Sequence, residues 1–210
     1  AWHSYSPKSR FIFVSSLWAY PIGQKRSSEK NYWKGLILNE TRHYGYSKKI
    51  ATILIESAKK NYNLKGTTLV LGTVYGPGDT SDHFIPSIIR RMEKNKKKLE
   101  VFGSGNESRD FIFIEDQIKG IFAHRNVNEE ILNIGSGNLI KTKQIISILK
   151  KIMKYKGKII YKNLNNSKDD LERGMSINKA KKLTGWSLPR NKDKLEKNLN
   201  LTVDDMKKNG

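Results

Sequence analysis

Two short runs that read as strands, with a helix between them, constrain this chain more than any other feature. Arg10-Phe-Ile-Phe-Val-Ser-Ser16 is continuously apolar until its last two residues, the pattern of a strand buried on both faces of a parallel sheet. Lys65-Gly-Thr-Thr-Leu-Val-Leu71 reads as a second buried strand. Between them, Ile50, Ile53, Leu54 and Ala58 fall at helical spacing in a segment running from about Thr41 to Asn61. Strand, helix, strand is the unit of a parallel crossover, so an α/β fold is expected. Ligands gather at the carboxyl ends of strands in such sheets. Ser15 and Ser16 close the first strand and stand where a ligand would be met, although serine after a strand more commonly caps a turn.

The same helix opens with Tyr44 and Lys48, four residues apart. That spacing stacks both side chains on one face, and an ammonium beside a phenol favours the phenolate. A phenol so placed could remove a proton from a sugar or alcohol hydroxyl. The spacing alone proves little, because 40 basic residues and nine tyrosines in 210 produce such pairs by chance.

The formal charge of +20 raises the question of nucleic acid. The basic residues are mostly Lys and are spread along the whole chain, and runs such as Lys94 to Lys98 read as solvated helix ends or turns. No RNA-binding motif or zinc finger accompanies them. A basic surface still suits nucleotide diphosphates. Cysteine is absent, and His3, His43, His83 and His124 show no metal-ligand spacing. No apolar run approaches the ~18 residues that span a bilayer, so a soluble, cytoplasmic protein is expected.

From Tyr20 to Asn39 the chain is polar and irregular. Further along, Phe84 to Glu93 and Thr142 to Tyr155 read as helices, with Thr142 or Asn138 as the cap of the second. Leu99 to Phe102, Phe111 to Ile114, Ile131 to Ile134 and Lys156 to Lys162 read as strands. Asn163 to Asp170 is expected to be a loop. A short helix from Asn178 to Thr184 stops at Gly185, and one charged helix follows in the tail. Gly103-Ser-Gly105 and Gly135-Ser-Gly137 lack the third glycine of a dinucleotide fingerprint, since Ser108 and Ile140 stand in its place. Both read as turns.

Four separated pieces resemble one family, the extended short-chain dehydrogenase/reductases that act on nucleotide sugars, the epimerase/dehydratase group. They are Phe13-Val-Ser-Ser16-Leu-Trp-Ala-Tyr20-Pro21, Tyr44-Gly-Tyr-Ser-Lys48, Val74-Tyr-Gly-Pro-Gly-Asp79 and Gly103-x-Gly105-x-x-x-Arg109-Asp110-Phe111. Leu132-Asn-Ile-Gly135 and Lys182-Leu-x-Gly185-Trp186 match weaker late signatures. The resemblance implies the C-terminal part of a Rossmann-like doubly wound parallel sheet plus a smaller α+β substrate-binding lobe. Residues 1–77 would be the remainder of the Rossmann-like domain and 78–210 mainly the lobe, with 109–135 returning to the sheet. It further implies NAD or NADP as cofactor, a nucleotide-diphosphate sugar as partner, and a homodimer. Tyr44 would be the acid/base, with Lys48 and Ser16 as the other catalytic residues. Tyr44, Lys48 and Ser15 would meet the cofactor, and Ser16, Arg109, Thr73 and His83 the substrate.

The departures are as informative. The loop after the first strand looks most like the GDP-L-fucose synthase-like branch, but that branch carries a cysteine and a histidine where this chain has Trp18 and Gly78. The acidic pair of the 4,6-dehydratases is replaced by Leu17 and Trp18. A 4-epimerase or 4-keto reductase, needing only the Tyr, Lys and Ser, is the expected activity. Thr73 stands where the family has asparagine. The family's first strand, glycine-rich turn and helix have no counterpart in the chain, so a missing N-terminal half and an exposed sheet edge are expected. The rival expectation is a non-catalytic nucleotide-sugar-binding or interaction protein derived from this family.

Overall fold

The computed structural model describes residues 5–6, 8–37, 41–162, 172–189 and 191–209. The expected loop from Asn163 to Asp170 lies outside them. The first sheet is parallel and three-stranded, in the order β1 (Arg10–Ser16), β3 (Lys65–Leu71), β7 (Ile131–Ile134). β1 and β3 run in register from Arg10 opposite Lys65 to Ser16 opposite Leu71. They are joined by helix α1 (Arg42–Tyr62), which packs on both of them and ends with Asn63 in the left-handed conformation. Among the described residues β1 is the outermost strand on one side of this sheet, with Phe11 and Val14 exposed.

The second sheet runs β2 (Arg26–Ser27), β10 (Glu172–Met175), β6 (Ser108–Phe113), β4 (Thr73–Tyr75), all parallel, and β8 (Leu139–Lys141) pairs antiparallel with β6. Within residues 109–135, β7 therefore joins β1 and β3, while β6 joins β4 and β10. A separate parallel pair is formed by β5 (Lys98–Phe102) and β9 (Lys158–Lys162). The largest core lies among β5, β6 and helices α2 (Phe84–Lys94), α4 (Thr142–Ile152) and α6 (Lys192–Asn209). In α2 the apolar stripe Ile85, Ile88, Ile89 and Met92 is fully buried, as its spacing requires. α3 (Ile114–Ala123) and α5 (Asn178–Thr184) flank β7, and Gly185 stops α5 in the left-handed conformation.

Two features lie beyond what the sequence indicates, and one expectation needs correction. The apolar stripe of α1 points outwards: Ile50, Ile53 and Leu54 are 54–64 % exposed, whereas Gly45, Lys49 and Thr52 face the sheet. The periodicity found the helix correctly, but its buried side is polar. Burial pushes the Lys49 ammonium down, and the rings of Tyr32 and Tyr46 lie 5.8 and 5.9 Å from it. Secondly, the loop from Tyr20 is anchored, because Tyr20 and Tyr32 are buried within it and meet edge to face at 5.3 Å. Thirdly, neither Thr142 nor Asn138 caps α4; the capping position is Lys141, without a side-chain bond. No helix among the described residues is long and apolar enough to cross a membrane.

Candidate active site

The site is assembled where β1 ends and α1 begins. Ser16 leaves β1 as the capping residue of a short 3-10 turn, Leu17–Ala19, and its Oγ accepts the Trp18 amide at 3.3 Å. A hydroxyl offers one proton and two lone pairs, so this bond leaves the Ser16 proton for a ligand. α1 presses on the same turn at Gly45. A Cβ there would stand 2.6 Å from the Trp18 carbonyl oxygen and 2.8 Å from Ile37, so the close approach requires glycine. Tyr44 is the residue before this contact, in the first turn of α1.

Tyr44 is 49 % exposed. The Lys48 ammonium lies 5.4 Å from the Tyr44 ring and 5.2 Å from the Phe13 ring, and donates to the Val14 carbonyl at 3.0 Å. A cation is thus fixed against the tyrosine ring by the backbone of β1. Ser15 behaves differently from its neighbour. It is 2 % exposed, and its Oγ bonds the Tyr32 hydroxyl at 2.9 Å, which in turn meets Thr52 of α1 at 3.3 Å. Alternation along β1 turns Ser15 into the core, where this bonding ties strand, loop and helix together.

The second sheet brings Arg109 to the group through a residue the sequence reading passed over. On β6, Arg109 is half-buried and lies in register with Arg173 of β10. Arg173 is 4 % exposed, and its guanidinium stacks on the Trp18 ring at 4.5 Å. Lys48 thus joins Tyr44 to the β1 backbone, α1 packs at Gly45 on the Ser16–Trp18 turn, and the Trp18 ring carries Arg173, whose partner in register on β6 is Arg109. Thr73 is half-buried at the start of β4, opposite Phe111. None of these contacts involves His83, which is exposed at the N-terminal end of α2. A cavity of about 420 Å³ among Tyr75, Phe111, Asp116, Gln144, Leu188 and Asn198 is lined by none of the expected site residues.

The two glycine-rich turns are filled by the protein's own carboxylates. Glu107 accepts the Ser104 amide at 2.6 Å and the Ser104 and Thr142 hydroxyls at 2.9 and 3.3 Å. Burial pushes this carboxyl up, but those hydrogen bonds outweigh it and hold the group below its usual range. Asp110 is fully buried and accepts the Ser136 and Gly137 amides at 2.7 and 3.1 Å. Burial pushes it up, and the bonds from Ser136, Gly137 and Met175 oppose that rise. With internal anions already on their amides, neither turn is a phosphate cradle. Among the described residues no cluster of metal-ligating side chains is found.

Comparison with known proteins decides the family. The model of the NAD dependent epimerase/dehydratase family matches residues 1–135. This chain belongs to that family. An epimerase of the same group, the UDP-glucuronate 4-epimerase of Thermodesulfobacterium geofontis, is 34 % identical over 145 residues, which are 68 % of this chain and 44 % of that protein. The GDP-L-fucose synthase of Dictyostelium discoideum is 30 % identical over 129 residues, 56 % of this chain and 40 % of that one. The crystal structure of the UDP-glucuronic acid 4-epimerase from Bacillus cereus in complex with NAD superimposes with a TM-score of 0.82 at 26 % identity, covering 98 % of this chain and 64 % of that one. The chain thus spans less than half the length of these two curated relatives.

The residues present fit part of an NAD(P) site. Tyr44 and Lys48, a phenol and an ammonium at an open surface, suit a ribose diol. The two carboxylate-filled turns offer nothing for the dinucleotide phosphates.

Proposed function

We propose that this chain is the catalytic and sugar-nucleotide-binding part of an NAD(P)-dependent nucleotide-sugar 4-epimerase or 4-keto reductase. The observation that carries the reading is the Lys48 ammonium held between the Tyr44 ring and the β1 backbone while α1 packs at Gly45 on the turn that bears Ser16, with Arg173 on the indole of that turn and Arg109 in register with it. The dinucleotide phosphates would be held by residues outside this chain. Tyr44 and Lys48 would meet the nicotinamide ribose, and the cofactor when bound would supply the hydride acceptor and donor for carbon 4 of the sugar.

Tyr44 takes the proton of the 4-hydroxyl as the carbonyl forms and gives it back on reduction, and Lys48 stabilises its phenolate. The free proton of Ser16 holds the sugar oxygen in line. Arg109 offers a planar fork of donors to the diphosphate, a task for which lysine is a poorer substitute. Trp18 brings no acid or base to carbons 3 and 5, so inversion there is not expected. Thr73 and His83 remain proposed substrate contacts.

The protein is also proposed to act as a homodimer through α1, whose outward stripe of Tyr46, Ile50, Ile53 and Leu54 is 40–64 % exposed. The deciding experiment assays the full-length protein for NAD(P)-dependent conversion of UDP-, GDP- and dTDP-sugars. Turnover that disappears in Tyr44→Phe, with melting temperature unchanged, supports the reading. Nucleotide-sugar binding without any hydride transfer would identify a non-catalytic relative instead.

A further inference from the structure

We infer that Trp18 is the platform on which the sugar ring of the nucleotide sugar lies, and so a residue that determines which sugars are accepted. This rests on the nucleotide-sugar reading above. One face of the indole is closed by Arg173, itself 4 % exposed, at 4.5 Å, while Trp18 as a whole is only half-buried. Its backbone is pinned at both ends, by the Ser16 hydroxyl on the amide and by close packing of α1 at Gly45 against the carbonyl. One face of the ring is thus covered by Arg173, and the residue keeps part of its surface open to solvent.

The position of that ring gives it a task. The turn that carries it holds the Ser16 hydroxyl and is met by α1 at Gly45, next to Tyr44, while Arg173, which stacks on the ring, stands in register with Arg109. Like charges side by side on neighbouring strands destabilise a sheet. The aromatic face offsets part of that cost by accepting the charge of Arg173. A diphosphate is the ligand that planar guanidinium forks suit. A nucleotide sugar laid along these residues has its diphosphate at the arginines, its reacting hydroxyl at Ser16 and Tyr44, and its ring between them, over the indole. The apolar C–H face of a hexose then stacks on the indole by dispersion, a contact that depends on the axial and equatorial pattern of the hydroxyls.

The test is calorimetric titration of the full-length protein with UDP-glucuronate, UDP, GDP-L-fucose and GDP. For the nucleotide sugar bound by the wild type, Trp18→Leu, which keeps apolar volume without a π face, is expected to weaken binding about tenfold. The corresponding nucleoside diphosphate should change by less than about twofold, and Trp18→Phe should stay within about threefold for both ligands. In parallel, the nucleotide sugar should quench tryptophan fluorescence more than its diphosphate does, and Trp18→Phe should abolish the difference; this readout stands even if the Leu variant does not fold. Equal losses for sugar and diphosphate, no loss for either, or a quench that persists in Trp18→Phe would overturn the inference while leaving the nucleotide-sugar reading intact. A wild type that binds none of the four ligands would overturn both.

Discussion

Replacing Asp110 by alanine tests how the two sheets are held together. Asp110 sits on β6 of the second sheet, yet its carboxylate closes the turn that follows β7 of the first. It has no solvent exposure and accepts the Ser136 amide at 2.7 Å, the Ser136 hydroxyl at 2.6 Å and the Gly137 amide at 3.1 Å. In the alanine variant the hydroxyl can turn to the Asn138 carbonyl, already 3.3 Å away, but the Ser136 and Gly137 amides are stranded, as is the Met175 amide that bonds the same carboxylate. Each stranded buried donor costs about 1–3 kcal/mol, and relief from burying the carboxylate returns part of the total, so a net loss of about 2–4 kcal/mol is expected. At roughly 2–4 °C per kcal/mol for a protein of this size, the melting temperature should fall by about 5–15 °C. Asp110→Asn keeps the shape and one acceptor and strands fewer amides, so it should lose about 1–2 kcal/mol. Thermal and urea denaturation of the full-length protein, followed by tryptophan fluorescence, separates the two. An alanine variant that loses under about 1 kcal/mol, or no more than the asparagine variant, would show that the carboxylate does not carry those amides.

Gly45→Val should push α1 off the Trp18 turn by about 1 Å, costing about 1–3 kcal/mol of stability. A misplacement of that size should lower kcat about 10²-fold, and a variant with wild-type kcat would contradict the close packing. Glu107, held below its ordinary range, contributes stability that is present above its unfolded value of 4.5 and lost as pH falls through the lower folded value. The stability gap between wild type and Glu107→Gln should therefore be widest near neutral pH and close below 4.5; a gap that is constant with pH would refute this. Leu54→Glu places a charge in the exposed stripe of α1 and should halve the molar mass found by light scattering, whereas an unchanged mass would rule out a dimer through that face.

Much of the architecture was legible because helices and long strands leave their period in neighbouring residues. β1, β3, β7, α1, α2 and α5 fall within a residue or so of where pattern and punctuation place them. β4 and β8 are three residues each, too short to carry a period, and form only because β6 runs beside them. α3 escaped notice because its first residue, Ile114, extends the apolar run of β6 without a break. The turn between Gly103 and Gly105 was recognisable from missing glycines, but not the Glu107 carboxylate that fills it.

At the site, the spacing of Tyr44 and Lys48 on one helical face needed nothing beyond adjacent residues, since four residues make one turn wherever the helix packs. The choice between Ser15 and Ser16 was another matter. Two serines in sequence differ in which side of β1 each faces, and the bond of Ser15 to Tyr32, 17 residues away, is visible only in the folded chain. The same holds for α1, whose apolar stripe faces outwards because the surface laid beneath it was polar. Arg173 joined Trp18 across more than 150 residues of chain. Local hydrogen bonding repeats along the chain and can be read from it, whereas burial and pairing depend on what distant segments bring, and only the assembled structure supplies that.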